Sequence, residues 1–99
     1  MYYTKNRCRF VKFTFDNKSL KKHGLTERDC LEVYADPFNE DAPNGLSKRG
    51  NKRFLIVGHS QNRKFPIEIG VEIFSDNHHH IYHAMKAREA TKRLVGYEE

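Results

Sequence analysis

Hydrophobic and polar positions alternate at the start of the chain and then change to helical spacing. From Arg9 to Phe15, valine and phenylalanine alternate with lysine and threonine, which predicts a strand. A short helix is predicted next, because Asp16 is a good N-cap and Gly24 suits the position just after a helix. Thr26 begins a second helix with an acidic residue at its capping-box position, and Asp36-Pro37 ends it.

The second half of the chain has the pattern of a strand series. Arg53 to Gly58 is apolar on both faces, which predicts a central strand. Ile67 to Ile73 alternates with glutamates and a glycine, which predicts a half-exposed strand. His79 to His83 is the last predicted strand, and helical spacing replaces it within three residues of Ile81. The residues from Phe38 to Asn51 carry turn formers and little periodicity, so we expect a loop.

This pattern predicts an α+β fold in the order β-α-α-β-β-β-α. The short turns favour an antiparallel sheet, with the two N-terminal helices on one face and a C-terminal helix after the last strand. The length supports a single domain over residues 1–99. We expect residues 1–8 to be loosely ordered.

The net charge of the chain indicates the kind of partner that it binds. The formal net charge is +5, with a pI near 9.3, which favours a polyanionic or acidic partner. No apolar run approaches the roughly 18 residues that span a bilayer, and the first residues lack the apolar stretch of a signal peptide. We therefore expect a cytoplasmic protein with no membrane contact.

The cysteines and the histidine run do not indicate a metal centre. Cys8 and Cys30 form no CxxC pair, and Cys30 fits a small buried hydrophobe. Adjacent residues of a strand point to opposite faces, so the run from His78 to His80 cannot converge on one ion. His78 and His80 can share a face, but no acid or cysteine at ligand spacing completes a site. We expect no metal and no cofactor.

Candidate chemistry concentrates where the last strand meets the C-terminal helix. His83 is predicted at the strand end, and histidine suits acid–base work near neutral pH. Lys86 follows three residues later, and Arg53 belongs to the central strand. Such cations stabilise the charge that develops on a phosphodiester during cleavage. We interpret His83, Lys86 and Arg53 as the catalytic candidates.

Four further basic residues are candidates for RNA binding: Arg88, Lys22, His23 and Lys92. Simpler interpretations stay open. Arg88 and Lys86 also fit solvated helix charges, and Lys22 and His23 complement the dipole at a helix end. His83 also fits a histidine that bonds a backbone carbonyl. Arg53 also fits an ion pair with Glu68 or Glu72 across the sheet.

Several segments, taken in order, resemble the BrnT toxin family. They are Phe13 to Lys18, Leu20 to Leu25, Val33 to Pro37, Lys52 to Gly58, and Ile81 to Glu99 with its Gly-Tyr-Glu-Glu ending. The resemblance covers nearly everything from Phe13 onward. It implies a RelE-like fold and a ribonuclease toxin of a type II toxin–antitoxin pair. It also implies neutralisation by a small DNA-binding antitoxin, so that DNA is contacted only through that antitoxin.

The chain departs from the family pattern at two places. His83-Ala84-Met85 stands where the family has Ser-Ala-Arg, and Lys52 replaces a glutamate. Loss of the arginine either leaves the chain inactive or shifts acid–base work to His83. Three hypotheses stay open: a metal-independent endoribonuclease, a catalytically inactive BrnT-like module that binds RNA or a partner protein, and, less favoured, a basic DNA-binding protein. The sequence does not determine the oligomeric state.

Overall fold

The computed structural model describes residues 2–3 and 10–98 of the chain, and the side chains of residues 11–98. The strands are β1 (Tyr2–Tyr3), β2 (Phe10–Phe15), β3 (Ala42–Leu46), β4 (Lys52–Gly58), β5 (Ile67–Ser75) and β6 (His78–Lys86). The helices are α1 (Asn17–His23), α2 (Glu27–Ala35) and α3 (Glu89–Val95). The α+β class is therefore confirmed. Within residues 1–8, whose looseness was expected, only the backbone of β1 is described.

Five strands form one sheet in the order β2-β6-β5-β4-β3, and the two-residue β1 extends it beyond β2. The expectation of an all-antiparallel sheet is wrong, because β2 runs parallel to β6, with Lys12 opposite His78 and Phe15 opposite Ile81. Hairpin turns determine direction only between strands adjacent in sequence. β2 is separated from the strands that follow it by two helices, so no hairpin turn determines its direction relative to β6.

The predicted loop from Phe38 to Asn51 contains an additional strand. β3 pairs antiparallel with β4, with Ala42 opposite Leu55 and an irregularity between Pro43 and Leu46. Its sequence contains a proline and a glycine, so it lacks the alternating pattern by which a strand is predicted. Both residues are tolerated in a short edge strand. Because β3 covers the outer edge of β4, the prediction that β4 lies inside the sheet is confirmed.

Helices α1 and α2 cover one face of the sheet, here called the α1–α2 face. Their caps follow the sequence prediction: the Asp16 side chain accepts from the first-turn amides of α1, Gly24 has φ +66° after it, and Thr26 and Asp29 form a capping box. The helices contribute Leu20, Leu25, Cys30 and Val33 to a core completed by isoleucines and valines of the sheet. Cys30 is fully buried, as expected, and burial raises the pKa of its thiol to about 12.

β5 is more deeply buried than its alternating sequence predicted. Ile67, Ile69 and Val71 point into the core, but Glu68 and Glu72, on the opposite face, are also buried at 0% and 3% exposure. The expectation of a half-exposed strand is therefore wrong. Arginines from outside the strand bind both carboxylates, which makes their burial tolerable.

The last strand continues further than predicted. β6 remains paired with β5 as far as Lys86, which lies opposite Ile67, and α3 begins only at Glu89. His83 is therefore within the strand and not at its end. α3 packs through buried Thr91, whereas its apolar residues Ala90 and Leu94 are exposed.

None of the helices in the described part of the chain is long and apolar enough to cross a membrane, α2 being the longest with nine residues.

Candidate active site

The polar face of the sheet lies opposite α1 and α2. Because side chains alternate along a strand, Glu68 and Glu72 point away from the core that contains Ile67, Ile69 and Val71. Thr91 of α3 lies beside the Glu68 carboxylate on this side and helps to lower its pKa. We call this surface the α3 face. Three of the seven predicted site residues, His83, Arg88 and Arg53, lie on it.

A bulge in β6 places two consecutive side chains on the α3 face. Val71 pairs with Ile81 and Gly70 with His83, so Tyr82 is an extra residue with no partner on β5. The ring of Tyr82 lies across Gly70: a Cβ added to Gly70 would be 2.5 Å from the Tyr82 Cζ. Gly70 therefore provides the space that the tyrosine ring occupies beside His83, with 6.3 Å between the two ring centroids.

Glu68 is the centre of a charged cluster with His83 and Arg88. His83 Nε2 lies 2.8 Å from Glu68 Oε2, and Arg88 Nη2 lies 2.6 Å from the same oxygen. The backbone N–H of Arg88 also donates to Glu68 Oε1, at 2.8 Å. Burial raises the pKa of Glu68, but the hydrogen bonds from His83 and Arg88 outweigh it and lower the pKa to about 2. The carboxylate is therefore ionised at neutral pH.

An ionised Glu68 determines which nitrogen of His83 carries the proton. A carboxylate only accepts, so Nε2 must donate to it, and in the neutral ring Nδ1 then holds the lone pair. The His83 side chain is 22% exposed, so it is not enclosed in the core. This arrangement orients an imidazole whose second nitrogen can accept a proton.

Arg53 lies on the same face and contacts Tyr82. Its Cα is opposite that of Glu72, but its guanidinium carbon lies 5.3 Å from the centroid of the Tyr82 ring. Arg53 Nε is buried and has no hydrogen-bond partner in the described part of the chain. The Tyr82 hydroxyl accepts a 2.7 Å hydrogen bond from Asn44 of β3. The cation–π contact and the hydrogen bond hold Tyr82 between Arg53 and His83.

A second cluster surrounds Glu72 at the other end of the α3 face. Arg49 binds its carboxylate with two hydrogen bonds of 3.1 and 3.2 Å, and Asn51 donates a third at 2.9 Å. Burial raises the pKa of Glu72, but the bonds from Arg49 and Asn51 produce a net lowering. The possible ion pair between Arg53 and Glu72 is therefore replaced by one with Arg49.

Two histidines of β6 share the α3 face, as expected. His78 Nε2 and His80 Nδ1 both contact the Thr14 hydroxyl oxygen, at 3.0 and 2.8 Å, and Phe74 stacks on His80. Burial lowers the pKa of His80. No group of three metal-ligating side chains occurs among the residues that the structure describes.

The other predicted site residues lie elsewhere. Lys86 is opposite Ile67, and cross-strand neighbours share a face, so it projects to the α1–α2 face, with its ammonium 5.7 Å from the Phe65 ring centroid. Lys92 forms an ion pair of 3.0 Å with Glu89. Lys22 and His23 are in the last turn of α1, across the sheet from His83. Of the predicted residues, the structure thus groups His83, Arg88 and Arg53.

Glu68, Tyr82 and Asn44 were not among the residues predicted for the site. The sequence did indicate the position of Glu68, because polar and apolar residues alternate strictly along its strand and place Glu68 on the polar face. Tyr82 lies on the same face as His83 only because of the bulge, and no residue in the sequence indicates that a bulge occurs there. Asn44 reaches Tyr82 from a strand that the pattern did not reveal.

Comparison with known proteins adds no relative. No protein-family model, no curated protein and no solved structure matches this chain.

Proposed function

We propose that this chain is a metal-independent endoribonuclease, the toxin of a type II toxin–antitoxin pair. The observation that carries the proposal is the 2.8 Å hydrogen bond between buried, ionised Glu68 and His83, with Arg88 and Arg53 on the same face. A histidine oriented by a carboxylate is suited to take a proton from a hydroxyl, and the neighbouring cations are suited to an anionic substrate.

In the proposed reaction, Nδ1 of His83 removes the proton from a ribose 2′-hydroxyl. The 2′ oxygen attacks the adjacent phosphorus, the bond to the 5′ oxygen breaks, and the leaving oxygen takes a proton from solvent. The products are a 2′,3′-cyclic phosphate and a 5′-hydroxyl. Glu68 stabilises the imidazolium, as the carboxylate of a catalytic triad does. Arg53 stabilises the charge on the phosphoryl oxygens.

The toxin role is supported by the resemblance of the sequence to the BrnT family and by the net charge of +5. On this proposal the fold is RelE-like and the protein acts in the cytoplasm. A small antitoxin encoded beside it neutralises it, and DNA is contacted only through that antitoxin.

One observation favours a second candidate, a non-catalytic module that binds RNA or a partner protein. Arg88 makes four hydrogen bonds to Glu68, three from its side chain, so much of its charge is already neutralised. The family arginine is also replaced by Met85, which further reduces the cations available to a phosphorane.

The deciding experiment incubates the purified chain with a long single-stranded RNA in the presence of a chelator. We expect cleavage with 2′,3′-cyclic phosphate ends. His83→Gln should reduce the rate by roughly 10²–10⁴-fold, the range for loss of a general base. His59→Gln, the same change at an exposed histidine that directly follows β4 and was not predicted for the site, is the matched control and should cleave normally. An unmodified chain that binds the RNA without cutting it would exclude the nuclease and support the module.

A further inference from the structure

A groove lies at the end of the β5–β6 pair and shares Arg88 with the proposed active site. It has a volume of about 700 Å³ and is formed by the segment before β5, the end of β6, the short link that follows it and the start of α3. We call it the end groove. The lining residues that matter here are Lys64, Phe65, Lys86, Arg88, Glu89 and Lys92. Its volume falls within the range of about 300–1,000 Å³ typical of small-ligand sites.

The end groove is strongly basic. Four of its lining side chains are cationic and one, Glu89, is acidic. Glu89 pairs with Lys92, and Arg88 pairs with Glu68 outside the groove. Among the described residues, no carboxylate forms an ion pair with Lys64 or Lys86. The field of these two lysines therefore favours an anionic occupant.

The end groove also offers an aromatic surface. Phe65 is partly exposed, and the Lys86 ammonium lies 5.7 Å from its ring centroid. The flexible stem of lysine lets the ammonium move from the ring to a phosphate. Cations beside an aromatic ring are the combination with which proteins hold single-stranded nucleic acid: the ring stacks on a base and the cations contact the backbone.

Arg88 connects the end groove to the catalytic cluster. Arg88 is one of the residues that line the groove, and its guanidinium binds the same Glu68 oxygen as His83 does. We propose that the end groove holds the nucleotide next to the scissile phosphate. Phe65 stacks on its base, and Lys64 and Lys86 contact its flanking phosphates. This inference rests on the proposed function, because it assigns a subsite to the same substrate.

The test measures binding and cleavage separately. A 2′-O-methyl oligonucleotide of about four nucleotides binds without being cleaved, because the attacking hydroxyl is blocked. Fluorescence anisotropy compares the unmodified chain, Lys64→Gln/Lys86→Gln and Phe65→Leu, with thermal melts to verify folding. Lys18→Gln/Lys21→Gln, which removes the same charge from exposed positions of α1, is the matched control.

We expect the groove double variant to bind about tenfold more weakly, with the salt dependence of log K reduced by about 1.4 for two lost phosphate contacts. Phe65→Leu should weaken binding with an unchanged salt slope, and the control should bind normally. Unchanged binding in the groove variants, or equal weakening in the control, would overturn the proposal. Tighter binding of a poly-glutamate peptide than of the oligonucleotide would also overturn it, in favour of an acidic protein partner.

Failure of the proposed function has a different signature. An unmodified oligoribonucleotide bound through Lys64, Lys86 and Phe65 but left intact removes the nuclease and leaves the groove assignment in place. Cleavage that His83→Gln abolishes and the groove variants do not affect, in binding or rate, removes only the groove assignment.

Discussion

Two glutamates on one strand show how similar ion pairs can serve different purposes. Glu68 and Glu72 both lie on the α3 face of β5, both are buried, and an arginine from outside the strand binds each. They differ in the remaining partner. Glu72 completes its hydrogen bonds with Asn51, whereas Glu68 bonds the imidazole of His83.

The consequence of this difference is chemical. Arg49 and Asn51 belong to the segment between β3 and β4, so Glu72 anchors that connection to the sheet. Neither of these partners has a free nitrogen that can accept a proton. The imidazole of His83 does, because its bond to Glu68 uses only one of its two ring nitrogens. The carboxylate with the imidazole partner is therefore the one suited to a reactive site.

The largest expected effect is on catalysis. Glu68→Gln should lower the rate of RNA cleavage by roughly 10²–10⁴-fold, because the amide neither fixes the His83 tautomer nor stabilises the imidazolium. Glu72→Gln should change the rate only a few-fold. Single-turnover cleavage of a labelled RNA measures both. An equal loss of cleavage rate in the two variants would mean that both carboxylates only stabilise the fold and that Glu68 has no role in catalysis.

The same pair should differ in stability. We expect Glu68→Gln to lower the free energy of unfolding by about 2–3 kcal/mol and Glu72→Gln by about 1 kcal/mol, measured by urea denaturation. Both values are moderated by solvent, because the Arg88 and Arg49 side chains are 53% and 64% exposed. A larger loss for Glu72→Gln would reverse the ranking of the two clusters.

This stability difference should depend on pH. The pKa of Glu68 is lowered from 4.5 to about 2, so the folded state holds the ionised form more strongly than the unfolded chain does. Its contribution is therefore complete above pH 4.5 and is lost as the pH falls toward 2. Unfolding curves of the unmodified chain and Glu68→Gln should converge over that window. A constant difference across it would contradict the linkage.

Features that depend only on residues close together in the chain, such as helix caps, were predicted correctly from the sequence. The caps at Asp16 and Thr26 and the glycine after α1 depend on contacts within a few residues, and each is confirmed. The parallel pairing of β2 with β6 joins residues more than sixty positions apart, and no short-range pattern encodes it. The end of β6 was misplaced because helical spacing and a paired strand give the same short apolar pattern there.

The candidate site was readable in part for the same reason. His83 and Arg88 are close in sequence and share a cluster, but the residue that joins them, Glu68, lies on another strand. Its burial depends on an arginine twenty positions away. Lys86 was predicted beside His83. Because β6 continues to Lys86, side chains still alternate there, and Lys86 projects to the face opposite His83. The sequence pattern did not predict this continuation.

Gly70→Ala tests the bulge that brings Tyr82 beside His83. The new Cβ would lie 2.5 Å from Tyr82 Cζ, so the ring must leave its position under Arg53. We expect a loss of about 1–3 kcal/mol in unfolding free energy, as for overpacking elsewhere. In a Tyr82→Ala background the same change should cost much less. An equal cost in both backgrounds would show that the strand itself, and not the ring, resists the methyl group.

The smallest expected effect is at the Glu72 end of the α3 face. Thr14→Val keeps the shape of the side chain but removes the hydroxyl that contacts both His78 and His80. We expect a loss of about 0.5–1.5 kcal/mol in thermal or urea unfolding, the net value of a typical hydrogen bond. The cleavage rate should not change, because neither histidine hydrogen-bonds Glu68 or His83 in the described part of the chain. A large loss of cleavage with folding intact would instead extend the active site along β6 to His80. The active site would then reach the Glu72 cluster, and Glu72 could no longer be described as having only a structural role.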